Sequence, residues 1–273
     1  LQRSSDGTIK NGVKLHDGLL VESVLIPTET RTTACVSSQV GCSLNCEFCA
    51  TAKLKRMRNL EVAEIVDQVA LIDKQSRLYF DRPLSNIVFM GMGEPMMNYK
   101  NVVEAIRKIT QPNGLGMSPR RITVSTSGIP KMIKMLADED LKVKLALSLH
   151  SAIEEKRNEI MPFSENFPLT DIIEALQYWY SKTGSVITLE YCIWKGINDK
   201  DEDIKALIKF CKKVPTKVNL IEYNSIGNGK YDRSNPEATE NYVRQLEKNG
   251  ITTMIRRSRG GDIDAACGQL ANK

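Results

Sequence analysis

The chain has 273 residues, enough for one large domain or two small ones, and an α/β barrel reaches this size as a single unit. Hydrophobic residues make up 41%, which supports a sizeable core, yet no apolar run approaches the ~18 residues that a membrane-spanning helix needs. The net charge of +5 is too mild to specify a nucleic-acid partner by itself, and seven cysteines in a chain of this size do not suggest a secreted disulfide scaffold, so a reducing cytoplasm fits best.

The first residues carry neither an apolar signal region nor a methionine, so the sequence reads as cut from something longer. Residues 12–26 read as a hairpin with Lys10-Asn11-Gly12 as a turn signal, and 19–26 as a strand ended by Pro27. Glu22 interrupts that apolar strand: alternation turns it to solvent, and the other reading is that it lines a site. Residues 32–40 read as the first barrel strand and carry Cys35.

Next comes the loop around which the chain is organised. Cys42, Cys46 and Cys49 stand at C-x3-C-x2-C spacing. Thiolates are soft ligands that suit zinc or iron–sulfur clusters. A structural zinc site or an ordinary cluster takes four protein ligands, and no fourth Cys or His lies nearby. Three thiolates on a four-iron cluster leave one iron open to an external ligand; the alternatives are a zinc knuckle or three unrelated cysteines.

Residues 60–76 then carry a helical apolar stripe, with Asn59 as its predicted N-cap. Strands and helices alternate from there. Strands are predicted at 87–90, 121–127, 143–149, 186–193, 218–223 and 252–258, and helices at 98–109, 130–137, 169–181, 201–213 and 236–249. Such alternation argues for parallel strands with right-handed crossovers. About six β/α units plus a closing strand describe a partial, TIM-like (β/α)6 barrel: an N-terminal β extension over 1–30, then one core over 31–273.

In such barrels function collects at the C-terminal ends of the strands. The second exit is Gly91-Met92-Gly93-Glu94-Pro95, where the glycines allow close backbone approach and Glu94 is placed to accept from an ammonium or a ribose hydroxyl, or else faces solvent from a tight turn. Ser125, Thr126 and Ser127 mark the third exit, Ser148, Leu149 and His150 the fourth, and Tyr223, Asn224 and Ser225 a later one. Small polar groups there provide partners for a ligand across the mouth; the other reading of any one of them, Ser127 first, is a helix cap. His150 is either a satisfied core histidine or a ligand contact; His16 has no assigned role.

Past the last strand, Cys267 stands among small residues in Asp262-Ile263-Asp264-Ala265-Ala266-Cys267-Gly268-Gln269-Leu270, with Arg257 and Arg259 nearby to favour a thiolate. Cys192 and Cys211 read as core. Lys53, Lys55, Arg56, Arg58, Arg120, Arg121, Arg256, Arg257 and Arg259 make clusters that suggest an RNA-facing surface, against the plainer reading of solvated side chains.

Together, Cys35 to Cys49, the Gly91–Pro95 segment, Arg121 to Thr126, Ser148 to His150 and Asp262 to Leu270 resemble the RlmN/Cfr family of radical S-adenosylmethionine (SAM) RNA methyltransferases over nearly the whole chain, the RlmN branch most closely. The resemblance implies a 4Fe–4S cluster on Cys42, Cys46 and Cys49, and SAM held by Gly93, Glu94, Ser125, Ser148, Leu149, His150 and Asn224. It implies that Cys267 is itself methylated, that Cys35 is its disulfide partner during turnover, and that Glu22 is the proton acceptor, which reverses the solvent reading. The implied reaction is methylation of adenine C2 in 23S rRNA and tRNA with two SAM per turnover, by a cytoplasmic monomer fed by a one-electron reductant such as flavodoxin. It also implies an accessory domain ahead of residue 1. The alternatives are the Cfr-type C8 methylation or, in another class, a non-catalytic Fe–S RNA-binding module.

Overall fold

The structure, a computed structural model, describes residues 1–227 and 229–272. The chain begins with β1 (Gln2–Arg3), β2 (Ile9–Lys14) and β3 (Leu20–Pro27), each antiparallel to the next. β4 (Thr32–Cys35) pairs antiparallel with β3. A small separate ribbon joins β5 (Gln39–Val40) to β6 (Arg58–Asn59). The repeating part follows: α1 (Val62–Phe80), β7 (Asn86–Phe89), α2 (Tyr99–Thr110), β8 (Ile122–Thr126), α3 (Pro130–Asp138) and β9 (Lys144–Ser148). Then come α4 (Glu154–Ile160), α5 (Leu169–Thr183), β10 (Ile187–Ile193), α6 (Asp201–Cys211), β11 (Thr216–Glu222), α7 (Pro236–Lys248) and β12 (Thr253–Arg256).

Strands β4, β7, β8, β9, β10, β11 and β12 run parallel in sequence order, so six β/α crossovers and a closing strand are present, as expected. The sheet has ten strands because β1, β2 and β3 extend it beyond β4. Its edges are β1 and β12, which leaves an open, partial barrel, and residues 1–30 are built into the sheet rather than set apart from it.

The strand side chains sort by alternation. Ala34, Ile87, Phe89, Ile122, Val124, Leu145, Leu147, Leu189, Tyr191, Val218 and Leu220 are all buried, and they form the face covered by the helices. Cross-strand register puts Cys35, Val88, Thr123, Ser125, Ala146, Thr188, Glu190, Cys192, Asn219 and Arg256 on the other, concave face. Val24 stands opposite Cys35, so Glu22, two residues before it, shares that face. The concave face is therefore polar.

Four expectations need correction. Lys10-Asn11-Gly12 lies inside β2, not in a turn: Asn11 exchanges two hydrogen bonds with Gln75 of α1, at 3.0 and 2.6 Å. The chain reverses instead at Gly18, φ 84°, where Asp17 Oδ1 accepts from the Leu19 N–H. The predicted strand 32–40 is broken after Cys35, because Ser37 N–H is taken by the Gln68 side chain rather than by a neighbouring strand. Asn59 does not cap α1: its side chain bonds Gln39 and the Met97 carbonyl, and a reciprocal Glu61/Glu64 capping box starts the helix. Finally, α4 occupies residues left without an element between β9 and α5.

Candidate active site

The mouth of the barrel is formed by the strand exits, the cysteine loop and the chain after β12. The loop is anchored from both sides. Glu47 N–H donates to Ile160 O of α4 at 3.1 Å, while Ala50 N–H donates to Gly268 O at 2.7 Å and Thr51 Oγ1 to Leu270 O at 2.6 Å. Gly41 has φ 73°, and a Cβ there would stand 2.5 Å from the Lys55 carbonyl oxygen, so the turn into the loop requires glycine.

Burial pushes all three loop thiols up, Cys42 to about 11; Cys42 also feels the charge of Cys49, Cys46 that of both, and Cys49 that of Cys267. Metal binding displaces such protons, because the ligand is the thiolate. Three soft thiolate donors on one loop suit a four-iron cluster with one iron left open.

Glu94 is buried, not solvent-facing. Oε1 accepts from Met96 N–H at 3.1 Å and Oε2 from Ser127 N–H at 2.8 Å. Burial raises its carboxyl and these N–H groups pull it back. Each oxygen keeps a second acceptor position for a ligand. Gly93, φ 91°, passes so close to Gln39 that a side chain would overlap it. Ser125 and Ser148 lie on β8 and β9 at the same mouth, and Leu149 is fully buried beside them.

His150 has φ 56°, a left-handed backbone held by its neighbours. Its Nδ1 accepts from Cys192 N–H at 3.1 Å, and its ring packs edge-on against Phe48 of the cysteine loop, centroids 4.7 Å apart, and against Trp194. Burial, with the Arg157 charge behind it, lowers its pKa to about 3, so it is neutral, with the Nε2 proton fixed by the Nδ1 bond. The unfolded chain binds a proton near pH 6.5 that the folded chain refuses. The stability due to neutral His150 is thus full above pH 6.5 and is lost as pH falls from there towards 3, at about 1.4 kcal/mol per unit. Urea unfolding at pH 7 and pH 5 should show a steeper loss for wild type than for His150→Gln.

Asn198, absent from the predicted site, ties this corner together. Fully buried, it accepts from Trp194 N–H at 2.8 Å and donates to the carbonyls of His150, 2.7 Å, and Cys192, 2.8 Å. Asn198→Ala strands three buried backbone groups and should cost on the order of 3 kcal/mol, read as a lowered urea midpoint.

After β12 the chain folds back over the mouth. Asn224 reaches the Cys267 carbonyl at 3.4 Å, and Gln269 donates to Ser225 O at 3.0 Å. Glu22 is 1% exposed, which overturns the solvent reading: Oε2 accepts from the N–H groups of Ala271 and Asn272 at 2.9 and 3.1 Å, and Oε1 faces Lys10 Nζ at 3.3 Å. Cys267 is exposed and Cys35 buried, and both are free thiols. Burial pushes Cys35 up to about 12, and the nearby Cys267 adds to it.

The cations sort differently from the clusters. Arg256, not Arg257 or Arg259, stands by Cys267, whose charge raises the guanidinium's pKa; it also faces Glu190 at 3.5 Å and Met90 Sδ at 3.4 Å. Arg259 turns to Asp6. Arg58 is engaged by Asp17 and Glu64. Arg120 and Arg121 precede β8, at the end of the barrel away from the site. Cys192 lies on the concave face within reach of the Cys267 charge, whereas Cys211 is core. A buried Arg157, which the motifs did not single out, donates from Nη2 to Ser127 O at 2.5 Å.

The family model "Radical SAM superfamily" matches residues 36–211, which carry the thiols and the first strand exits. Over its full length the chain is 71% identical to a "Probable dual-specificity RNA methyltransferase RlmN" of Christiangramia forsetii, covering 78% of that protein, and 70% identical to a protein of the same name from Flavobacterium psychrophilum, covering 79%. The chain belongs to the RlmN family of radical SAM RNA methyltransferases. A crystal structure of a radical SAM methyltransferase from Sphaerobacter thermophilus superposes with a TM-score of 0.97 at 38% identity, over all of this chain and 80% of that one. RlmN membership makes the chain an enzyme whose cofactors are a 4Fe–4S cluster and SAM. No helix among the described residues is long and apolar enough to cross a membrane.

Proposed function

We propose that the chain methylates adenine C2 in 23S rRNA and tRNA, using two SAM molecules per turnover and Cys267 as the methyl carrier. The observation that carries this reading is the placement of Cys267. The chain after β12 is fastened to the cysteine loop through Gly268 and Leu270, so the thiol stands at the mouth near both Cys49 and Cys35. A ligand shared by cluster and Cys267 would lie across the strand exits.

When bound, the cluster on Cys42, Cys46 and Cys49 supplies the electron that splits SAM. The chain does the rest. Gly93, Glu94, Ser125, Ser148, Leu149, His150 and Asn224 hold SAM. Cys267 takes a methyl from one SAM by displacement, which its exposure permits. Adenine C2, flanked by two ring nitrogens, is no nucleophile, so the methyl carbon must come to it activated. Glu22 accepts the displaced ring proton, and Lys10 with the Ala271 and Asn272 amides fixes where its oxygens point. Cys35 attacks the Cys267 sulfur, the bond from that sulfur to the transferred carbon breaks, and the carbon takes up a proton to become the methyl group as the disulfide forms; the oxidising equivalent would come from the second SAM, whose 5′-deoxyadenosyl group would carry off one hydrogen of the original methyl.

The enzyme works in the cytoplasm as a monomer, with a flavodoxin-like electron donor. Digested RNA from a reaction with the reconstituted chain should contain 2-methyladenosine by mass spectrometry. Finding 8-methyladenosine would move the assignment to the Cfr type, and an intact cluster that never cleaves SAM would leave an RNA-binding Fe–S module.

A further inference from the structure

Among the described residues, Arg157 is a buried guanidinium with no carboxylate at ion-pair distance. It is 1% exposed on α4, just after the His150 exit. Its Nη2 is fixed by the Ser127 carbonyl, and its Nε has no hydrogen-bond partner. Among the described residues no carboxylate lies at ion-pair distance, and the nearest candidate on its own helix, Glu154, is turned to the Leu169 N–H at 2.9 Å. A buried cation with an orphan N–H is costly unless something anionic completes it.

The surroundings show where that anion belongs. The helix carrying Arg157 is bonded to the cysteine loop through Ile160 O and Glu47 N–H, one residue from Cys46. Cys46 packs against the apolar cluster that includes Ile160 and Met161 of the Arg157 segment. Cys46 and Arg157 feel each other's charge; Arg157 also feels, less strongly, Glu154 on its own helix, while Cys42, Cys49 and Glu94 add negative charge around Cys46. Three thiolates around a 4Fe–4S core carry net negative charge, and one-electron reduction makes it more negative.

We propose that Arg157 is the counter-cation of the cluster, a positioning residue that aims its free N–H groups at the Cys46 side and makes the cluster easier to reduce. This rests on the radical reading given above. Hydrogen bonds to sulfur and nearby charge are established levers on cluster potential. A cation that the low-dielectric interior leaves unscreened favours the reduced, more anionic state. The electron comes from an external low-potential one-electron donor, and Arg157 shifts only how readily it is accepted.

The test is potentiometric. Wild type, Arg157→Gln and Arg157→Lys are reconstituted anaerobically, their iron and sulfide counted, and their midpoints read by electron paramagnetic resonance during dye-mediated reduction. Arg157→Gln should keep its cluster but show a reduced-to-oxidised ratio about tenfold lower at the wild-type midpoint, a shift of ~59 mV for one electron. Arg157→Lys, which keeps the charge, should fall between the two. An unchanged midpoint in Arg157→Gln overturns the proposal. So does an Arg157→Lys that loses the cluster, or loses potential, as far as Arg157→Gln does, since shape rather than charge would then matter. A wild type that assembles no four-iron cluster defeats the radical reading itself, and this inference with it.

Discussion

Cys267→Ala should leave SAM cleavage intact and RNA unmethylated. With cluster and dithionite present, 5′-deoxyadenosine should form at a rate near that of wild type, because none of the three loop thiols is altered. Methyl transfer should fall on the order of 10⁴-fold, the scale of losing an obligatory covalent carrier. The substitution removes only an exposed sulfur, while the bonds that seat the surrounding chain come from the backbone of Cys267, Gly268 and Leu270 and the side chain of Gln269. A misfolded variant is therefore not the expected cause of the loss. Both products are read by mass spectrometry on one sample. Residual methylation within tenfold of wild type would remove Cys267 from the chemistry.

Cys46→Ser should abolish both activities. A serine hydroxyl is a hard donor with a far higher pKa than a thiol, and two remaining thiolates do not hold a four-iron cluster. Iron content should drop to background and the visible cluster absorbance should vanish, while far-ultraviolet circular dichroism stays that of wild type. The loop keeps its shape because its anchors, Glu47 N–H to Ile160 O and Ala50 N–H to Gly268 O, do not use the sulfur. Cys211→Ala is the control. That thiol is packed in the core against the outer helices, so the change should cost some stability and neither activity.

Much of this was legible in the residues. The rhythm of apolar strands and amphipathic helices gave six parallel units, since each period is set by local geometry that the buried face must obey. The thiol spacing singled out a loop that lies at the barrel mouth, and the glycines before Glu94 marked a close approach to Gln39, because close approach leaves a mark in residue type. Glu22 was misread from alternation alone. Alternation assumes one wet face, and here both faces are closed: one by helices, the other by chain returning from more than 240 residues away. The turn at Gly18 was missed because Lys10-Asn11-Gly12 carries the same local signal, and only the partners Gln75 and Glu22 make it a strand. Arg157 was invisible for a related reason. Nothing in a sequence distinguishes a solvated arginine from one whose surroundings withhold an anion.

The late return of the chain has a consequence for biosynthesis. Thr51 waits for a partner 219 positions downstream, and Glu22 for amides 249 and 250 positions on. A ribosome making this polypeptide can therefore complete every strand and α-helix of the scaffold before the Cys267 sulfur emerges. The mouth is closed only once synthesis has run past it, so an unfinished chain leaves the Glu22 carboxylate and the Thr51 hydroxyl without these late partners.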